Sequence, residues 1–142
     1  MASVWLARDV GGADGDMVAI KTILPEHAQN DAFRAMMLDE ARIVRLIHHP
    51  NVAATLELGE VFGAPYLVLE YVPGESLDQL SEALADKKRP LQPSILVKVL
   101  GDACRGLHAA HELAAPDGEN LGLVHRDLSP QNVLVDDRGR VK

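Results

Sequence analysis

A carboxylate in an apolar helical stripe is the first feature of this sequence with chemical content. Residues three, four and seven apart on a helix share a face, so Glu40 falls among Phe33, Met36, Met37, Ile43, Val44 and Ile47. Desolvating an acid there is costly unless it is protonated or paired with a cation. Lys21 is the candidate partner, because it ends the apolar run Val18-Ala19-Ile20 with a single ammonium. The plainer arrangement is also open: Glu40 reaches water at the edge of the stripe and Lys21 is a solvated strand end. The second feature is His125-Arg126-Asp127-Leu128-Ser129-Pro130-Gln131-Asn132, a Pro-containing loop between two apolar segments. Asp127 and Asn132 can point a carboxylate and an amide at one place. The carboxylate can accept a proton, and both groups offer oxygen to a hard divalent cation. Read one at a time, Asp, Ser and Asn in such a loop are ordinary turn residues.

These groups need elements to hold them. Residues 3–8 alternate, with Val4 and Leu6 expected inward, and the Gly/Asp cluster that follows predicts a hairpin to a second strand over 17–22. Residues 25–30 break the pattern, and Asn30 or Asp31 can cap the helix that carries Glu40. His49-Pro50-Asn51 stops that helix. Strands are predicted over 54–61 and 66–72, joined by Phe62-Gly63-Ala64-Pro65. After Pro73-Gly74 the character becomes helical. A short helix is predicted over 76–85 with Leu77, Leu80 and Leu84 on one side, then a solvated connector, Lys87-Lys88-Arg89-Pro90. A longer helix begins near Pro93 with Leu96, Leu100, Ala103, Leu107 and Ala110 expected inward, and ends before Pro116-Asp117-Gly118. Residues 121–124 and 133–135 are expected to be short strands. Cys104 reads as core, His108 and His111 as structural residues near a helix C-terminus, and His125 as a buried clamp for its loop. The class is α+β.

Composition narrows the function. The chain has 142 residues, 47% hydrophobic and 25% charged, with 14 Lys plus Arg against 21 Asp plus Glu. That describes one globular unit, and its formal charge of -7 argues against a nucleic-acid binder, which needs a basic face. The single cysteine cannot form an internal disulfide, so a reducing, cytoplasmic setting is expected. The longest stretch without a formal charge, 46–56, falls short of the about 20 apolar residues of a bilayer-spanning helix. No basic region followed by an apolar stretch opens the chain, so no secretory signal is expected.

Taken together and in order, Val18-Ala19-Ile20-Lys21, Glu40 on the next helix, His49-Pro50-Asn51 after it, and the loop from His125 to Asn132 resemble the protein kinases, and among them the bacterial serine/threonine kinases of eukaryotic type. The resemblance runs along the whole chain. It implies a two-lobed, protein-kinase-like α+β fold, incomplete here: a small antiparallel sheet lobe with one helix over 1–70, a hinge over 70–75, and the start of a helical lobe over 76–142. ATP would lie between the lobes. Val4 and Ala19 would cover the adenine, Leu134 would lie beneath it, and Leu69 would close the back. The carbonyl of Glu70 and the N–H and carbonyl of Val72 would read its edge, and Ser76 would reach the ribose. Lys21, held by Glu40, would contact the α and β phosphates, Asp127 would accept or orient the hydroxyl of a protein substrate, and Asn132 would bind Mg²⁺. The Gly-rich loop would immediately precede Val4 and the Asp-Phe-Gly motif would follow Lys142, so the chain taken alone is expected to have little or no activity. One departure is Ser129, where serine/threonine kinases usually carry Lys, and a milder one is Gln131 in place of Glu. Two other functions are weighed. An aminoglycoside- or choline-type kinase usually shows His-Gly-Asp in the loop, and Arg126 and His49-Pro50-Asn51 weigh against it. A catalytically silent nucleotide-binding or scaffolding domain is disfavoured by the presence of Lys21, Glu40, Asp127 and Asn132.

Overall fold

A computed structural model describes residues 2–11, 15–23, 31–115 and 117–142, without the side chains of Ala2, Ile23, Asp31, Phe33, Met37 and Glu40. The expected break at 25–30, the cap at Asn30 or Asp31 and Pro116 of the last turn therefore lie outside the described residues. The chain divides into two units, one of residues 1–48 and 53–71, the other of residues 49–52 and 72–142.

The first unit is an antiparallel sheet with one helix. Strands β1 (Ala2–Arg8) and β2 (Met17–Ile23) are followed by helix α1 (Asp31–Val44) and strands β3 (Thr55–Val61) and β4 (Ala64–Glu70). The sheet order is β1-β2-β4-β3. Helix α1 packs on β3 and β4, and Arg34 on it pairs with Glu60 of β3 at 3.3 Å. The β3–β4 connection is a two-residue turn, with Phe62 and Gly63 both at positive φ, the backbone that matches the twist of a hairpin. Neither face of β1 is covered, since Val4, Trp5 and Leu6 are all exposed. The inward Val4 and Leu6 expected from alternation are not found because β1 is an edge strand and no described element packs over it. On the helix Ala41 is buried and Arg34, Leu38, Ile43 and Val44 are half-buried, whereas Met36, expected in the apolar stripe, is 56% exposed.

The second unit holds β5 (Gly74–Ser76), α2 (Leu77–Asp86), α3 (Pro93–His111), a 3₁₀ turn (Pro130–Asn132) and β6 (Leu134–Asp136). Strands β5 and β6 pair antiparallel, so closely that a Cβ at Gly74 would overlap the carbonyl of Val135. Its core is Leu77, Val99, Val133 and Val141, with Leu91, Ala103 and Val135 packed around them. Helix α3 starts on Pro93, whose fixed φ suits a first turn. Its buried residues are Val99, Asp102, Gly106 and Ala110. Leu96 and Leu100, expected inward, are exposed, and so is Cys104. Backbone proximity decides this: the Cα of Gly106 packs on the carbonyl of Asn51, where any Cβ would clash, so the helix docks by its small residues. Asn51 also donates from Nδ2 to the carbonyl of Val141 at 2.9 Å, which gives the His49-Pro50-Asn51 turn its place in this unit. Residues 121–124 form no strand. Among the described residues no helix is long and apolar enough to cross a membrane.

Candidate active site

In the first unit, strand register assembles the expected nucleotide-facing residues. Lys21 lies opposite Val4 on β1 and Leu67 on β4, and Ala19 lies opposite Leu6 and Leu69. Directly opposed residues and residues two apart share a sheet face, so Val4, Ala19, Lys21 and Leu69 occupy one face. Lys21 is exposed there, an ammonium beyond an apolar patch. Glu70 pairs with Val18 and belongs to the other face, and its carboxylate accepts from the N–H of Ala54 at 3.1 Å. The side chain of Glu40 lies outside the described residues, so the expected Lys21–Glu40 pair does too.

In the second unit the loop before β6 is held by its own hydrogen bonds. Arg126 sits in the left-handed region at φ 60, a conformation that costs a residue with a Cβ about 1 kcal/mol. The next residue is clamped: the N–H of Asp127 donates to the carbonyl of His125 at 2.8 Å and to its Nδ1 at 3.3 Å. His125 is thus the loop clamp expected from the sequence, but an exposed one. Pro130 then opens the 3₁₀ turn, closed by the N–H of Asn132 donating to the carbonyl of Ser129 at 3.0 Å. That turn brings Asn132 back to Asp127. The Nδ2 of Asn132 donates to the backbone carbonyl of Asp127 at 2.8 Å and to its Oδ2 at 3.2 Å. With the amide nitrogen committed, the amide oxygen of Asn132 and Oδ1 of Asp127 remain as acceptors on an exposed surface. Two oxygens of this hard kind fit a divalent cation such as Mg²⁺.

The neighbouring positions differ in how far they are already occupied. Ser76 is buried and caps α2: its hydroxyl accepts from the N–H of Gln79 at 3.2 Å and donates to Oε1 of Gln79 at 2.9 Å, while its own N–H donates to that same oxygen at 3.0 Å. The hydroxyl expected at a ribose is therefore engaged in a reciprocal cap. Val72 is buried, and its carbonyl accepts from the N–H of Gly74 at 2.9 Å. Its N–H has no backbone acceptor among the described residues. Leu134, half-buried, pairs with Ser76 and exchanges two backbone hydrogen bonds of 2.9 Å with Lys142. Gln131 reaches from the loop to Oδ2 of Asp78 on α2 at 3.2 Å.

Two buried acids behind this region were not singled out from the sequence. Asp136 ends β6 and accepts from the N–H groups of Arg138 and Arg140 and from the Arg140 side chain. Burial pushes its carboxyl up, but those donors together outweigh it, and the group is held below the ordinary carboxylate range. On α3, Asp102 is held low chiefly by the hydrogen bond from Lys98, with Arg105 adding to it against the cost of burial. Asp136-Asp137-Arg138-Gly139 is a turn signal that could have pointed to the first. Nothing in an apolar periodicity could have pointed to the second.

Residues 2–142 match the protein kinase domain family. The chain belongs to that family. It is 41% identical over 145 residues to the tyrosine-protein kinase MasK of Myxococcus xanthus, covering 100% of this chain and 22% of that protein. It is 34% identical to the serine/threonine-protein kinase PksC of Streptomyces coelicolor and 31% identical to PrkC of Bacillus subtilis, covering 100% of this chain and 24% and 20% of those proteins. The crystal structure of the Mycobacterium tuberculosis PknI kinase domain superposes with a TM-score of 0.75 at 25% identity, covering 99% of this chain and 51% of that one. The kinase chain thus spans about a quarter or less of these curated relatives and about half of the solved domain. The sheet unit and the helical unit are those of a protein-kinase-like fold, of which the chain covers a part.

Proposed function

We propose that this chain supplies the nucleotide-binding face and the hydroxyl-activating loop of a protein kinase that transfers the γ-phosphoryl group of ATP to serine or threonine hydroxyls. The observation that carries the reading is the Asp127–Asn132 arrangement: one amide nitrogen ties the two residues together, and an oxygen of each has no partner among the described residues. Asp127 orients the substrate hydroxyl and takes its proton as the oxygen attacks the γ phosphorus and ADP leaves. Lys21 meets phosphate oxygens from the sheet face that also carries Val4, Ala19 and Leu69, with Glu40 as its partner. The Val72 N–H offers a donor to the adenine edge and Leu134 an apolar surface. Bound at Asn132, Mg²⁺ would neutralise charge on the phosphates, the main demand of phosphoryl transfer. Ser129 offers a hydroxyl and no charge where a lysine would meet the γ phosphate.

The test is phosphate transfer from labelled ATP, measured for the chain and for a longer version with further residues at both ends, with identification of the phosphorylated amino acid. Transfer to Ser or Thr that is lost in Lys21→Met supports the proposal. Transfer to an aminoglycoside or to choline, or full binding and transfer by Lys21→Met, overturns it. Phosphotyrosine as the product would move the acceptor. That second reading has support of its own in Ser129 and in the name of the 41% identical relative.

A further inference from the structure

Helix α3 presents a buried carboxylate between two cations. The Asp102 side chain is 8% exposed, and it pairs with Nζ of Lys98 at 2.7 Å and with the guanidinium of Arg105. Lys98 does not stop at this pair. Its Nζ also donates to the carbonyl of Gly139 at 3.0 Å, across 41 residues of sequence. Gly139 lies in the turn after β6 with φ 75, and its N–H donates to the carbonyl of Asp136 at 3.0 Å. Within the same turn the Asp136 side chain, 2% exposed, accepts two backbone N–H groups. The N–H of Asp137 donates to the carbonyl of Pro73 at 3.2 Å. An unbroken series of hydrogen bonds therefore runs from α3 through the turn to the segment beside Val72, and the strand it secures carries Leu134 two residues after Asn132.

A lysine that is 57% exposed would ordinarily sample many rotamers. Here the buried carboxylate fixes its ammonium from one side, and the Gly139 carbonyl is the second acceptor within reach. We propose that Lys98, oriented by Asp102, is a positioning residue for nucleotide binding: it fixes the 136–140 turn and through it the height of Leu134 under the adenine. The inference rests on the proposed placement of ATP above Leu134. Lys98 acts on affinity rather than on the transfer step, because it contacts neither Asp127 nor Asn132.

The experiment compares Lys98→Met, Lys98→Arg and Lys21→Met in the preparation that supports phosphate transfer, reading KM for ATP, kcat and backbone amide exchange. Losing one charge-assisted hydrogen bond predicts an ATP KM about three- to tenfold higher in Lys98→Met, with kcat within about twofold. Exchange should speed at Leu134, Asp136, Gly139 and Lys142 while α3 stays protected. Lys98→Arg, which retains charge and donors, should restore KM. An unchanged KM in Lys98→Met, or a loss of protection shared equally by α3 and the strand, overturns the inference. If Lys21→Met also leaves nucleotide binding intact, the failure belongs to the functional reading. If Lys21→Met abolishes binding and the Lys98 variants do nothing, only this inference falls.

Discussion

Under the proposed function, Asp127 is the residue on which the chemistry would turn. Its backbone is held on two sides, its Oδ2 receives one hydrogen bond from Asn132, and its other oxygen remains an acceptor. Asp127→Asn keeps the shape and removes the proposed base. Phosphate transfer should fall by roughly 10²- to 10⁴-fold, with ATP affinity within about twofold of the parent. A rate measurement paired with nucleotide titration checks this, and equal losses in both would show that the residue serves binding. Asn132→Leu removes the amide that ties the loop together and the oxygen offered to the cation. It should raise the Mg²⁺ concentration needed for half-maximal transfer, read from a metal titration at saturating ATP. The loop was legible in its residue types and their order. Its internal clamp was less so, because the bond from Asn132 to the Asp127 carbonyl depends on the Pro130 turn folding back. Ser76 is the instructive contrast. The resemblance places its hydroxyl at a ribose, and local hydrogen bonding engages that same hydroxyl with Gln79.

Elements were legible where local pattern governs. The apolar run ending at Lys21 marked a strand and Pro93 marked a helix start, whereas the connection expected over 62–65 is only the two-residue turn Phe62-Gly63, with Ala64 and Pro65 already in β4. The phase of a helix was harder. Helix α3 docks by Gly106 and Ala110, buries Asp102 and packs Ala103 on the core, while Leu96 and Leu100 face outward, so apolar spacing found Ala103 and Ala110 but misplaced the two leucines before them. Close backbone approach is the reason, and it makes a prediction. Gly106→Ala and Gly74→Ala each place a methyl group against a carbonyl, at Asn51 and Val135. Each should destabilise the second unit by about 2 kcal/mol or more, measured by denaturant unfolding. Ser76→Ala removes only the cap of α2 and should cost about 1 kcal/mol in the same measurement.

For the molecule as a whole, the two buried acids set a pH dependence. Asp102 and Asp136 are held below the ordinary carboxylate range in the folded chain. In acid the unfolded chain therefore binds more protons than the folded one, and stability falls as pH falls. The contribution is fully present above the unfolded carboxylate value of about 4 and is lost as pH drops through the lower folded values. Thermal melts across this range should show Tm falling steeply below pH about 4 in the parent. Asp136→Asn should start lower at neutral pH and show a shallower acid slope. Equal slopes in parent and variant would rule out Asp136 as a source of the effect.

Membership in the kinase family and the sequence positions that matter to it are written in short motifs, because each motif needs particular groups at fixed separations: an ammonium after an apolar strand, a carboxylate five residues before an amide. Those separations are covalent facts and survive any arrangement of the rest. Which side chains are shared, capped or buried is not covalent. Val4, Ala19, Lys21 and Leu69 occupy one face only because β1 and β4 pair with β2 in one register. Lys98 meets Gly139 only because α3 packs on the β6 turn. Contacts between residues this distant in sequence arise from packing, where the cost of a clash or an unpaired charge outweighs local preference.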